Sequence, residues 1–226
     1  RKQHELDAAK EHLESLGVKV ITIAADLGNL EGIPKVVDQV VEQLGDIDIL
    51  VNNAGATWGA PAEDYPPEGW MKVMNLNVNA SFFLTQTVGK RCMIPRKTGK
   101  VINIASIDGL RPNPWETYSY QASKAAVINL TKRLAARLVK DGILVTGIAP
   151  GAFASEMNKA ARDLGDIVGK HVPAGRIGNA EDMAGVAIYL AARSGNYVVG
   201  DVITVDGGVV HAFLTESWEI DPAGGH

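Results

Sequence analysis

Sulfur chemistry is nearly absent. Cys92 is the one cysteine in 226 residues, which excludes an internal disulfide and any zinc site built on cysteine pairs. A reducing, cytoplasmic compartment is therefore expected. Long apolar runs are missing as well. None reaches the ~20 residues that a membrane helix needs. The opening stretch "RKQHELDAAKEHLESLG" is charged and amphipathic, without the apolar core of a secretion signal, so a soluble protein is expected. There is no excess of one charge. A formal net charge of -4, with lysines and arginines scattered, gives no footprint for nucleic acid. Linkers, repeats and low-complexity segments are also lacking.

What is present is a globular composition, 46% hydrophobic, on a chain long enough for one domain with a sizeable core. Leu6, Ala9, Leu13 and Leu16 recur at helical spacing until Gly17. "VKVITIAADL" reads as a buried strand. A helix is expected from Leu30 to Leu44, with Pro34 in its first turn. "IDILVNNAG" reads as a strand and polar turn, and "PPEGWMKVMNLNVNASFFLTQTVGKRCM" as a long helix. "KVINIAS" is a strand, Tyr118 to Lys140 a helix, and "DGILVTGIAP" a strand again. "NAEDMAGVAIYLAA" has an asparagine-initiated helix signature with Asp182 in its first turn. "DVITVDGG" closes the pattern as strand and turn. Helices alternating with near-continuous apolar strands predict an α/β fold, with a parallel sheet covered on both faces.

Tyr120 and Lys124 lie four residues apart in "YSYQASK", so on a helix they share a face. A free tyrosine titrates near pH 10, and a neighbouring ammonium favours the phenolate. The pair therefore has the makings of an acid/base device, although the same spacing also arises on ordinary helices. Its surroundings single it out. In parallel α/β sheets ligands bind beyond the carboxyl ends of the strands. Asn52 to Gly55, Ser106, and Pro150 with Gly151 each follow a strand, and the Tyr120 helix begins beyond the loop that starts at Ser106.

Together these motifs resemble a classical short-chain dehydrogenase/reductase, with a Rossmann-like doubly wound sheet. "NNAG" (Asn52 to Gly55), "NIAS" ending at Ser106, "NLNV" around Asn77, "YSYQASK", "APG" (Ala149 to Gly151) and "VDGG" occur in the family's order over nearly the whole chain. The variants "NNAGATWGAP", "INIASIDGLRP" and "APGAFASEM" are most similar to members called 3-oxoacyl-carrier-protein reductases, including the rhamnolipid-synthesis type. Gluconate-dehydrogenase-like names occur in the same subgroup. The resemblance implies that Tyr120 is the general acid or base, with Lys124 lowering its pKa and holding ribose hydroxyls. It implies that Ser106 binds the substrate oxygen, and that Asn77 holds a water linking Lys124 to solvent. No metal is required.

The resemblance also assigns the cofactor side to Arg1, Asp26, Leu27, Asn53, Ala54, Gly55, Pro150, Gly151 and Ser155. A basic Arg1 inclines the cofactor to NADP over NAD. Trp58, Ile107, Leu110, Trp115, Tyr118, Phe153 and Met157 are expected pocket walls or entrance, and Arg111 a contact for an anionic substrate. The family's glycine-rich phosphate loop has no counterpart from Arg1 onward. The resemblance places it, with the first strand, first helix and second strand, ahead of Arg1, which leaves a Rossmann domain over 1–210 and a tail over 211–226. A homotetramer or homodimer through the helices after Pro67 and Ser119 is expected. The expected activity is NADP-dependent interconversion of a ketone and a secondary alcohol, first a 3-oxoacyl-type carbonyl. Polyol or sugar-acid oxidation and a non-catalytic role on the same scaffold stay open.

Overall fold

The computed structural model describes residues 3–212. In chain order its elements are α1 (Gln3–Glu14), α2 (Ile33–Leu44), β1 (Ile49–Asn52), α3 (Pro67–Met74), α4 (Ala80–Val88), α5 (Ile94–Arg96), β2 (Gly99–Ile104), α6 (Tyr118–Leu138), β3 (Ile143–Pro150), α7 (Lys159–Asp163), α8 (Gly165–Gly169), α9 (Ala180–Ala191) and β4 (Val202–Val205). The strands form one sheet in the order β1-β2-β3-β4, with every pair parallel.

The two central strands are apolar on consecutive residues because both faces are covered. Val101, Ile143 and Val145 turn to one side and pack with Val37 of α2, Ala80 and Val88 of α4, and Ala135 of α6. Their neighbours Ile102 and Ile148 turn to the other side, against Leu190, Met183 and Val186 of α9. Each such side chain, removed from water, contributes about 1.5–3 kcal/mol. This is the doubly wound α/β arrangement expected from the sequence.

The long helix after Pro66 is continuous from α3 to α5 but not uniformly α. Two π turns, Asn75–Asn79 and Gly89–Met93, interrupt it. Such turns insert one extra residue and are frequent at functional sites. Asn77 lies in the first and is 2% exposed. Polar side chains also cross the core. Asn52 and Asn103 are register partners on adjacent strands. Asn52 Nδ2 donates to Asn103 Oδ1 (2.8 Å), and Asn103 Nδ2 donates to Thr131 Oγ1 of α6 (2.9 Å).

Two expectations change. "VKVITIAADL" is not a strand. A strand is defined by its ladder, and none of the ladders formed reaches residues 18–26. Leu27, at its end, packs on the core instead. Helix α1 has the predicted periodicity, and Gly17 follows it with φ +82°, yet it buries none of its residues. Arg1 and most of the expected tail, residues 213–226, lie outside the described residues. Among the described residues no helix is long and apolar enough to cross a membrane.

Helix α9 starts where the sequence indicates. Asn179 Oδ1 accepts from the Asp182 N–H (3.0 Å), and Asp182 Oδ2 accepts from the Asn179 N–H (2.9 Å). Two otherwise orphaned donors are thereby satisfied reciprocally. Arg176 adds a fork onto the same carboxylate, at 2.6 and 3.0 Å. Asn179→Ala is expected to cost about 1 kcal/mol. The measurement is a lower urea midpoint with an unchanged slope.

Candidate active site

Because the strands are parallel, their carboxyl ends share one edge of the sheet, and each end carries one part of the site. β2 passes through Ala105 to Ser106. The Ser106 hydroxyl oxygen accepts from the Asp108 N–H at 3.1 Å and so caps the turn Ile107–Gly109. That bond leaves the hydroxyl hydrogen for another acceptor. The turn rests directly on α6. A Cβ at Gly109 would stand 2.5 Å from the Lys124 carbonyl carbon, closer than real side chains come, so this approach requires glycine.

On α6, Ser106 meets Tyr120. A hydrogen bond from Ser106 favours the Tyr120 phenolate, but burial and the nearby Asp108 carboxylate oppose it. Burial prevails, and the phenol is raised above its usual range. Lys124 is 5% exposed. Its Nζ donates to the Ile104 carbonyl at 2.7 Å and stands 5.6 Å from the centroid of the Tyr120 ring. Burial lowers its pKa to about 8, with Asp108 acting against the shift. The net direction at Tyr120 is thus upward, with burial the largest cause. The ammonium donates to the strand carbonyl, and desolvation sets the direction of the phenol's shift.

Asn77 joins two parts of the site. Its Oδ1 accepts from the Ala56 N–H (2.8 Å), while Nδ2 donates to the Ala56 carbonyl (3.0 Å) and to Ser123 Oγ (2.9 Å). Both amide hydrogens are thus engaged by protein. Ser123 in turn donates to the Tyr120 carbonyl at 2.7 Å. The side chain is a clamp between the loop after β1 and the helix of Tyr120.

The remaining residues fall into two groups. Close to the site are Gly55 and Met157, whose Cε comes within 3.8 Å of the place of a Gly55 Cβ. Ile107 is half-buried in the turn after Ser106, while Asn53 and Ala54 are exposed beyond β1. Gly151, after Pro150, runs so close to Asp206 that a Cβ would stand 2.8 Å from its Cα. The others are held by local structure. Asp26 Oδ1 accepts from the Gly28 N–H (3.1 Å), and Ser155 Oγ accepts from the Asn158 N–H (3.0 Å).

Of the expected pocket walls, Phe153 covers Gly178, where a Cβ would lie 2.3 Å from its Cζ. The Trp58 ring lies against Gly69 and under Lys72 Nζ, 5.1 Å from its centroid. Both rings are occupied in packing. Trp115 is 67% exposed, Leu110 is also exposed, and Arg111 donates to the Val209 carbonyl at 2.7 Å. Tyr118 lines a cavity of about 490 Å³ with Ala62, Tyr65, Pro67, Trp70 and Met71. About 200° of helix separates it from Tyr120, so this cavity flanks the reactive face rather than containing it. Sequence reasoning overlooked Asp108, Ser119 and Ser123. The two serines lie within the quoted motif at the same four-residue spacing as Tyr120 and Lys124, and that spacing was their available signal.

Fold and edge together define a doubly wound α/β protein with a Ser, Tyr and Lys constellation at the carboxyl end of its sheet. The family model described as enoyl-(acyl carrier protein) reductase matches residues 1–210. The chain is similar to gluconate 5-dehydrogenase of Gluconobacter oxydans, 38% identical over 212 residues, which cover 92% of this chain and 82% of that protein. It is also similar to the rhamnolipids biosynthesis 3-oxoacyl-[acyl-carrier-protein] reductase of Pseudomonas aeruginosa, 41% identical over 192 residues, covering 82% of this chain and 75% of that one. Among solved structures, a gluconate 5-dehydrogenase from Burkholderia cenocepacia in complex with NADP and tartrate superposes with a TM-score of 0.86 at 33% identity, covering 94% of this chain and 84% of that one. The chain belongs to the short-chain dehydrogenase/reductase family.

The depressed Lys124 has a consequence for stability. Between about pH 8 and the unfolded value near 10.5, the unfolded chain binds more protons at this group than the folded one. Stability due to Lys124 therefore rises with pH across that window and is constant below it. The urea midpoint of the wild type is expected to gain on that of Lys124→Met from pH 8 to 10. A flat difference would show that Lys124 is not held in the buried environment described.

Proposed function

We propose that the protein is an NADP-dependent oxidoreductase that interconverts a ketone and a secondary alcohol, reducing a 3-oxoacyl-type or related carbonyl. The observation that carries this reading is the meeting of Ser106, Tyr120 and Lys124 at one sheet edge, with Lys124 buried against the Ile104 carbonyl. NADPH, when bound, would supply the hydride. Tyr120 donates its phenolic proton to the carbonyl oxygen as the alcohol forms, and its raised pKa keeps that proton in place at neutral pH. Ser106 donates to the same oxygen and stabilises its developing charge.

The residues suit the cofactor. Lys124 commits one of its three N–H bonds to Ile104, and the others suit the vicinal hydroxyls of a ribose. Support for NADP comes from the relatives solved with it, including the Pseudomonas aeruginosa RhlG/NADP complex, with a TM-score of 0.78 at 38% identity.

For the substrate, two observations point in different directions. Likeness to the gluconate 5-dehydrogenases favours a sugar acid. The loops after β2 and β3 favour a neutral, apolar ketone. Ile107, Leu110, Trp115 and Met157 lie along them, and their arginine, Arg111, is engaged at Val209. A sugar carboxylate would have to compete for that arginine.

Tyr120→Phe is expected to lower NADPH-dependent ketone turnover by about 10²–10⁴-fold while NADPH binding, followed by fluorescence, persists. Unchanged turnover would remove Tyr120 from the chemistry. With the wild type, kcat/KM for a medium-chain 3-oxoacyl ester is expected to exceed that for 5-ketogluconate. The reverse order would assign the sugar-acid role.

A further inference from the structure

Tyr65 sits in the turn before α3 and touches none of the reacting groups. Its ring meets Trp70 edge-on at 6.3 Å and Tyr118 edge-on at 5.8 Å. Its hydroxyl donates to the Trp58 carbonyl at 2.9 Å and lies 2.6 Å from Ser119 Oγ. A carbonyl only accepts, so the single phenolic proton points to Trp58. Ser119 must then donate to the phenolic oxygen. The polarity of the chain is fixed as Ser119 to Tyr65 to Trp58.

Ser119 is fully buried, at 0% exposure, and immediately precedes Tyr120. Both lie in the first turn of α6, whose N-cap residue Thr117 makes no side-chain cap bond. Helix ends fray when their first N–H groups lack partners, yet a proton donor must hold its place to a fraction of an ångström. The Ser119–Tyr65 bond supplies a tether that the missing cap does not. Because Tyr65 also holds Trp58, the tether joins this turn to the same loop that Asn77 clamps at Ala56.

We propose that Tyr65 is a positioning residue for Tyr120: its hydroxyl anchors Ser119, and through it the first turn of α6, to the loop after β1. This rests on the reading of Tyr120 as proton donor. The test is a double-mutant cycle with Tyr65→Phe, Ser119→Ala and the pair, read as kcat and KM for a ketone and for NADPH. Each single change is expected to lower kcat about tenfold, on the scale of a small misplacement, with KM for NADPH unchanged. The pair is expected to be no worse than Tyr65→Phe alone, since that change already removes the Ser119–Tyr65 bond. Ser119→Thr, which keeps the hydroxyl, is expected to restore most of kcat. Additive losses, an unchanged kcat or a change in KM alone would overturn the proposal. Should Tyr65→Phe fail to fold, Ser119→Ala against Ser119→Thr decides, and equal kcat values overturn it. If Tyr120→Phe is as active as the wild type, the proton-donor reading fails. If Tyr120→Phe is inactive while the tether variants keep full kcat, only the positioning role fails.

Discussion

A buried ammonium organises this site. Lys124 lies on α6 with its Nζ against the Ile104 carbonyl. Taking an ammonium out of water costs several kcal/mol unless it is hydrogen-bonded and faces opposite charge. Here the carbonyl at the end of β2 supplies the bond and Asp108 the charge. Both come from the same stretch of chain, on either side of Ser106. To meet Lys124, the turn Ile107–Gly109 must lie on the backbone of α6, which is why Gly109 has no room for a side chain. Ser106 is then carried to Tyr120 by the same closure. One electrostatic requirement thus fixes the strand end, the turn and the reactive face of the helix relative to one another.

A second set of bonds closes the opposite flank. The π turn at Asn75–Asn79 carries Asn77, which is buried, and its amide takes both the N–H and the carbonyl of Ala56. Ser123 extends the connection to the backbone of Tyr120, and Tyr65 does the same for Ser119. The loop after β1 is consequently held to α6 at Ala56 and at Trp58. An asparagine in the middle of a helix is unfavourable by propensity alone. Its cost here is offset by three well-formed hydrogen bonds in a buried, low-dielectric setting.

How far the sequence reveals this depends on the range of the interaction concerned. Burial on both faces leaves consecutive apolar residues in β2 and β3, so those strands are legible one residue at a time. The α9 cap is legible because both partners lie within three residues. Tyr120 and Lys124 are legible through helical spacing. "VKVITIAADL" looks like a strand because its composition suits one, but composition does not provide a ladder partner. The occupation of the Phe153 and Trp58 rings is hidden for a related reason. Each is decided by a glycine distant in sequence, Gly178 and Gly69, whose missing Cβ makes room for the ring. The Tyr65 tether spans 54 residues and has no local signature.

The direction of the Tyr120 shift was the least legible feature, and it bears on the chemistry. An i,i+4 lysine taken alone predicts a lowered phenol. The fold reverses this by burying both groups and by bringing Asp108 within reach of each. Desolvation disfavours the phenolate and the ammonium alike, so both groups are pushed toward their neutral forms. A neutral phenol is a proton donor, which matches the reductive half of the reaction. The Ser106 hydrogen bond lowers the phenol pKa, but less than burial raises it. Burial of α6 against β2 is thus the largest cause of the shift at both groups.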